Sequence, residues 1–307
     1  MKAKPERERE RESNSAAHSE EIASGDRFDF GENWTKFLKN LNDERIAEAE
    51  KDLKKALEAD TLIGKSFLDA GCGSGIHSLA ARRLGAKVVS FDYDPKSVAC
   101  AQELKRRYYD GDPDWTIGEG SVLDRDYLNS LGKFDVVYSW GVLHHTGAMY
   151  EALANIEPLT AANGKLFISI YNDQGGASRR WRLVKKAYNA SPKIIKALIV
   201  AACYPRLWGP TSLRDFLRLK PFETWRNYAK NRGMSPHRDV VDWVGGYPFE
   251  VAKPEEIFEF YRDRGYTLRG LLTCGGGHGC NQFVFVKSAP KPTSRRSKKE
   301  AELPKEA

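Results

Sequence analysis

Cysteine is sparse in this chain. Cys72, Cys100, Cys203, Cys274 and Cys280 make an odd count with no dense framework. That excludes a small disulfide-stapled fold and points to a reducing compartment. Long apolar runs are missing too: the longest, Ala197 to Tyr204, is far too short to span a bilayer. No apolar segment near the first residue has the form of a secretory signal. The expectation is a cytosolic protein, with peripheral contact to a membrane left open. Large apolar side chains are scarce at both ends, so residues 1–26 and 289–307 are expected to be disordered tails. Acidic residues are nearly absent from one long stretch. From Gly176 to Arg238, fifteen lysines and arginines face only Asp215 and Glu223, a balance of +13 in a chain of 307 residues whose net charge is +7.

What is present suits one or two globular domains: 41% of residues are hydrophobic and 30% charged. KSFLDAG (65–71), AKVVSFD (86–92), WTIGEGS (115–121), FDVVYSW (134–140) and KLFISIY (165–171) read as strands. They are continuous apolar runs, as strands covered on both faces require. HSLAARRLG, PKSVACAQELKRRYY and the segment around MYEALANIEPL carry apolar residues at helical spacing between them. This alternation predicts an open, doubly wound α/β domain whose ligands bind at the carboxyl ends of the strands.

In FLDAGCGSG (67–75), Gly71, Gly73 and Gly75 follow the first strand and open a helix, so the backbone can approach a ligand closely. A dinucleotide fingerprint would place its third glycine where Ile76 stands. Asp92 ends the second strand, 21 residues after Gly71, where a carboxylate can accept hydrogen bonds from two ribose hydroxyls. A glycine turn, a carboxylate and aromatic faces together suit a cation on a nucleoside. In CGGGHGC (274–280), two cysteines and His278 invite a zinc reading, but the sequence offers no second ligand pair and no metal is expected. The segment reads instead as a flexible loop joining the strands YTLRGLLT and NQFVFVK, with His278 near the substrate mouth.

DAGCGSG, FDYDP, FDVVYSWGVLHH and GKLFISIYN, in that order, resemble the class I S-adenosylmethionine-dependent methyltransferases. Within that superfamily the chain looks like the branch of the ubiquinone-biosynthesis O-methyltransferases, over roughly residues 28–172 and 254–287. The resemblance implies a mostly parallel, seven-stranded Rossmann-like sheet and S-adenosylmethionine as cofactor. By it, Asp69, Gly71, Cys72, Gly73 and Gly75 would lie against the methionine part and Asp92 would hold the ribose. Tyr93 would flank the adenine, Ser121 and Val122 would stand near the adenine amino group, and Trp140 with Gly141 would face the methionine. Ser121 departs from the acidic residue usual at its position. Phe28, Phe30, Trp34 and Phe37 are apolar enough to close over the cofactor, as the N-terminal helix does in similar enzymes.

His144 and His145 stand just past the fourth strand, where the transferable methyl should point. A hydroxyl acceptor loses a proton as it attacks, and imidazole is tuned for that near neutral pH. His145 is favoured because it matches the histidine this family often has there; the bland reading makes one a cap and the other core. Tyr171 and Asn172 end the fifth strand and face the same cleft by position.

The stretch from Asp173 to Lys253 is long where a minimal fold of this kind has a short connection to the helix that PEEIFEFYRDRG matches. The expected organisation is a cofactor-binding domain over 27–172 and 254–288, with a basic, aromatic helical cap over 173–253 inserted after the fifth strand. Arg179, Arg180, Trp181 and His237 should line the acceptor path. Basic residues interleaved with aromatics fit anionic lipid headgroups, phosphate-bearing substrates or RNA. The favoured reading is O-methylation of a small acceptor that is lipid-linked, quinone-like or anionic. A glycan or nucleotide-sugar methyltransferase, a tRNA-modifying enzyme and a non-catalytic binding module stand as alternatives; nucleic acid is the weaker partner.

Overall fold

The computed structural model describes residues 6–31, 34, 38, 41–232 and 235–289. Seven strands form one sheet: β1 (Ser66–Ala70), β2 (Lys87–Asp92), β3 (Trp115–Glu119), β4 (Phe134–Trp140), β5 (Thr160–Tyr171), β6 (Tyr266–Leu272) and β7 (Cys280–Lys287). Their order is β3-β2-β1-β4-β5-β7-β6, with β7 antiparallel to both neighbours and the first five strands parallel. The order reverses between β1 and β4, and the crevice at such a switch point is where open α/β sheets bind ligands.

The helices are numbered in chain order: α1 (Glu6–Ser24), α2 (Asp43–Leu57), α3 (Ile76–Arg83), α4 (Pro95–Tyr108), α5 (Arg125–Leu131) and α6 (Met149–Ile156). After β5 come α7 (Gly176–Ala190), α8 (Lys193–Leu217), α9 (Glu223–Arg232) and α10 (Pro236–Gly245), then α11 (Pro254–Arg262). Along β1, Phe67 and Leu68 point to opposite faces and enter two separate cores. Both faces are covered, which is why the strands read as unbroken apolar runs. In α2, Ile46, Ala49, Leu53 and Leu57 are buried at helical spacing, and the Asn42 side chain caps the helix by accepting from the Arg45 amide. A third core joins Phe28 to Trp181, Tyr188, Val200, Val240, Val244 and Phe249, so the segment after β5 packs on itself and on the N-terminal chain.

The expectation of disorder over residues 1–26 does not hold from Glu6 onward. Residues 6–24 are helical, His18 is buried edge-on to the Tyr93 ring at 5.3 Å, and Arg27 pairs with Glu21 at 2.5 Å. The helix docks through polar and ring contacts, which a scarcity of apolar residues does not reveal. Residues 290–307 of the expected C-terminal tail lie outside the described residues. CGGGHGC does join β6 to β7, but it is tied down: Asn172 donates to the Gly277 carbonyl at 3.3 Å and Gln174 to that of Gly276 at 2.9 Å.

Candidate functional site

The turn after β1 is the floor of the site. Gly71, Gly73 and Gly75 take φ of 82°, 52° and 80°, left-handed values that favour glycine at all three positions. The Gly71 and Cys72 amides both donate to the Phe91 carbonyl, at 2.9 and 3.0 Å, pinning the turn to β2. A Cβ at Gly71 would strike Val142, and one at Gly73 would come within 2.9 Å of the Trp34 ring. Trp34 therefore lies on the turn, where the sequence placed an aromatic cover. Phe37 is outside the described residues.

Asp92 ends β2 with its carboxylate between two amides, Gly73 at 2.8 Å and Asp94 at 3.0 Å. Burial pushes its pKa up to about 6 despite those hydrogen bonds. Asp69 is wholly interior, donated to by the Ser78 hydroxyl at 2.5 Å, and burial raises it to about 7. It braces the first turn of α3 from beneath the glycines. Cys72 is buried as a reduced thiol, and burial holds its pKa high. Tyr93 lies under the Arg27 guanidinium, 5.0 Å from the ring centre, and against His18. The Ser121 hydroxyl accepts from the Leu123 amide at 3.1 Å, closing a turn. Buried Val122 follows, its carbonyl accepting from Asn155. Trp140 is 45% exposed at the end of β4, and a Cβ on the next residue, Gly141, would meet open space. A backbone cradle, an acidic strand end and an open ring at the switch point fit S-adenosylmethionine: turn for methionine, carboxylate for ribose, ring for the sulfonium side.

A family model described as "Methyltransferase domain" matches residues 68–166, the span from β1 through most of β5. Residues 68–166 are thus similar to a methyltransferase domain. Among curated relatives, a "tRNA U34 carboxymethyltransferase" of Methylococcus capsulatus is 32% identical over 43% of this chain and 41% of its own length. A "Ubiquinone biosynthesis O-methyltransferase" of Nitrosococcus oceani is 28% identical over 54% of this chain and 62% of its own. The chain thus spans less than two thirds of either relative. Among solved structures, magnesium protoporphyrin IX methyltransferase from Synechocystis PCC 6803 aligns with 18% identity and a TM-score of 0.46, over 81% of this chain and 86% of that one.

Around the β5 edge, the groups expected to do chemistry separate. His145 is buried with Nδ1 2.7 Å from the Pro248 carbonyl, so Nδ1 carries the proton and Nε2 keeps its lone pair. Burial lowers its pKa to about 3. Arg27 donates to its carbonyl at 3.1 Å, so the N-terminal chain clamps this turn. Gly245 and Gly246 let Phe28, Phe30 and the His145 ring approach: a Cβ on Gly246 would lie 3.1 Å from His145 Cε1. His144 is fully buried, its ring centre 4.0 Å from that of Tyr171 and neither nitrogen in a hydrogen bond of standard geometry. Its place is behind Tyr171, in the packing, which corrects its nomination as a proton acceptor.

Tyr171 meets Trp243 at 5.3 Å and Phe249 at 5.4 Å. Trp181 joins this cluster through Trp243 and His278, at 5.7 and 5.8 Å. The four residues nominated for the acceptor do not converge. Arg179 and Arg180 are exposed on the first turn of α7. His237 is exposed on α10 and bonds to the Tyr204 hydroxyl at 2.6 Å, in a groove that Trp181 does not line.

Lys185 is the residue the sequence did not single out. It is 0% exposed on α7, its ammonium donating to the Trp243 carbonyl and facing the rings of Trp243 and Phe249 at 4.6 and 4.7 Å. Burial brings its pKa down to about 7. Spacing carried a signal: Trp181, Lys185, Tyr188 and Asn189 all fall on the buried face of α7. Counted only as one of fifteen basic residues, it could not stand out.

Proposed function

We propose that the chain transfers a methyl group from S-adenosylmethionine to an oxygen of a small acceptor that is lipid-linked, quinone-like or anionic. The observation that carries the reading is the aromatic cluster at the end of β5, where Tyr171 is walled by Trp243, Phe249 and His144. Ring faces at that edge receive a planar acceptor and exclude water from the reaction. The relatives named as ubiquinone biosynthesis O-methyltransferases support oxygen as the accepting atom. The cofactor supplies an electrophilic methyl group on a sulfonium. The chain's part is alignment: the glycine turn and Asp92 fix the donor, and the aromatic walls hold the acceptor in line with it. Two bases flank Tyr171, the Nε2 of His145 and the amine of Lys185, the latter half neutral near pH 7. Lys185 can take the acceptor's proton, whereas His145, with its pKa near 3, orients the acceptor through Nε2.

A tRNA-modifying role is the second reading, favoured by the Methylococcus relative's name and by the basic segment after β5. One experiment separates the two. The protein is incubated with methyl-labelled cofactor and fractionated lysate, and label is traced to lipid, polar small molecule, RNA or protein. Label in the lipid or small-molecule fraction, lost in Lys185→Met or His145→Ala, is the expected result. Label in RNA overturns the small-molecule reading, and label in no fraction removes the methyl-transfer reading itself.

A further inference from the structure

We propose that the helices after β5 hold a binding groove for a single-chain anionic amphiphile, a fatty carboxylate in its simplest form. The groove is a cavity of about 430 Å³ between α7, α8 and α10, and none of its lining residues belongs to the glycine turn or the Asp92 edge. That volume lies in the range of small-ligand sites. One face of α8 supplies most of the wall: Lys193, Lys196, Ala197, Val200, Ala201 and Tyr204 recur at helical spacing. Tyr188 of α7 and His237 with Val241 of α10 close the other side.

The chemistry of the lining is divided. Apart from the Tyr204 hydroxyl, which bonds to His237, the alanine, valine and tyrosine faces are apolar along most of the groove. At one end stand two ammonium groups, and among the described residues neither Lys193 nor Lys196 forms an ion pair with a carboxylate. Lys196 instead lies over the Tyr188 ring at 5.4 Å. An apolar trough ending in two uncompensated cations is complementary to a hydrocarbon chain with an anionic head. The surface beside that end fits the delivery of such a molecule: Ile194 is 77% exposed and Leu198 60%, large apolar side chains facing outward next to the lysines. A run of packed rings leads from the groove to the His145 ring. Tyr188 touches Phe28 at 6.3 Å, Phe28 touches Phe30 at 4.9 Å, and Phe30 touches His145 at 4.9 Å.

The test reads binding in the absence of cofactor, so it stands or falls apart from the methyl-transfer reading. The full chain is titrated by calorimetry with dodecanoate, dodecanol and inorganic phosphate, each below any micelle-forming concentration, and with vesicles of phosphatidylglycerol. Saturable one-to-one binding of dodecanoate is expected, at least tenfold tighter than dodecanol, with phosphate alone not bound. Lys193→Glu with Lys196→Glu should erase the tenfold preference. Ala201→Trp, a change at an exposed helix position that fills the groove, should weaken both chains at least tenfold while the melting temperature stays put. Equal affinity for dodecanoate and dodecanol, binding untouched by Ala201→Trp, or binding to vesicles without binding of the free chain would each overturn the proposal.

Discussion

Asp92 sits where a carboxylate is useful only when charged, yet burial has raised its pKa to about 6. In the free protein, that shift favours the protonated form between the ordinary carboxylate value of 3.8 and about 6. On the proposed reading ribose hydroxyls donate to the anion, so binding the nucleoside would pull the proton off. Affinity for S-adenosylhomocysteine should therefore rise with pH up to about 6 and then level. Asp92→Asn should bind more weakly throughout, by about 1.5–3 kcal/mol for each charge-assisted hydrogen bond lost, and should show less of that slope. Calorimetry at pH 5, 6 and 7.5 checks this; an identical slope in wild type and variant would remove Asp92 from the ribose. The glycines at 71, 73 and 75 and the aspartate at 92 were legible in the sequence because both follow from chemistry local to a strand end. Lys185 was not, because its significance is its surroundings: rings from Trp243 and Phe249, some sixty residues away, make an ordinary lysine a buried one.

Among the elements, α1 departs furthest from expectation. Its sequence, ERERERESNSAAHSEEIAS, is charged from end to end and reads as solvated. It nevertheless places His18 on Tyr93 and Glu21 on Arg27, and Arg27 in turn holds the His145 carbonyl. Deleting residues 1–24 should therefore weaken S-adenosylhomocysteine binding on the order of tenfold, about 1.4 kcal/mol, the scale of one edge-on ring contact. His18→Ala should reproduce part of that loss. Equal affinity in all three proteins would show that α1 rests on the site without bracing it. The strands behaved differently. β4 matches its sequence reading at both ends, while β5 begins five residues earlier than the apolar run, at Thr160. There Thr160 continues the pairing with β4 opposite Phe134 through an irregular register, which an apolar pattern cannot announce.

For the molecule as a whole, the charge distribution and the third core act together. The basic stretch after β5 keeps most of its lysines and arginines in solvent, but Lys185 is enclosed with no acid bonded to it in the described contacts. A lysine whose folded pKa lies near 7 binds fewer protons in the native state than in the unfolded chain between about 7 and 10.5. The native state should thus be least favoured below pH 7 and should gain stability as the pH climbs towards 10. Each unit of such a shift is worth ~1.4 kcal/mol. Lys185→Met should flatten that rise, so denaturant midpoints at pH 6.5, 8 and 9.5 are expected to converge with wild type as the pH increases. Parallel curves would show that the ammonium is solvated. No helix among the described residues is long and apolar enough to cross a membrane. Leu213, Phe216, Leu217 and Leu219 face outward.

The sheet, its glycine turn and the carboxylate opposite were legible in the sequence, since period, glycine placement and strand-end chemistry are properties of short stretches. The surroundings of the two histidines were not legible there, because the Pro248 carbonyl on His145 and the Tyr171 ring beside His144 come from distant chain. Only the tertiary structure divided the four nominated acceptor residues between a solvent face, an aromatic cluster and a separate groove. Burial and partnership are sums over neighbours that long loops bring together, and no local pattern encodes such a sum.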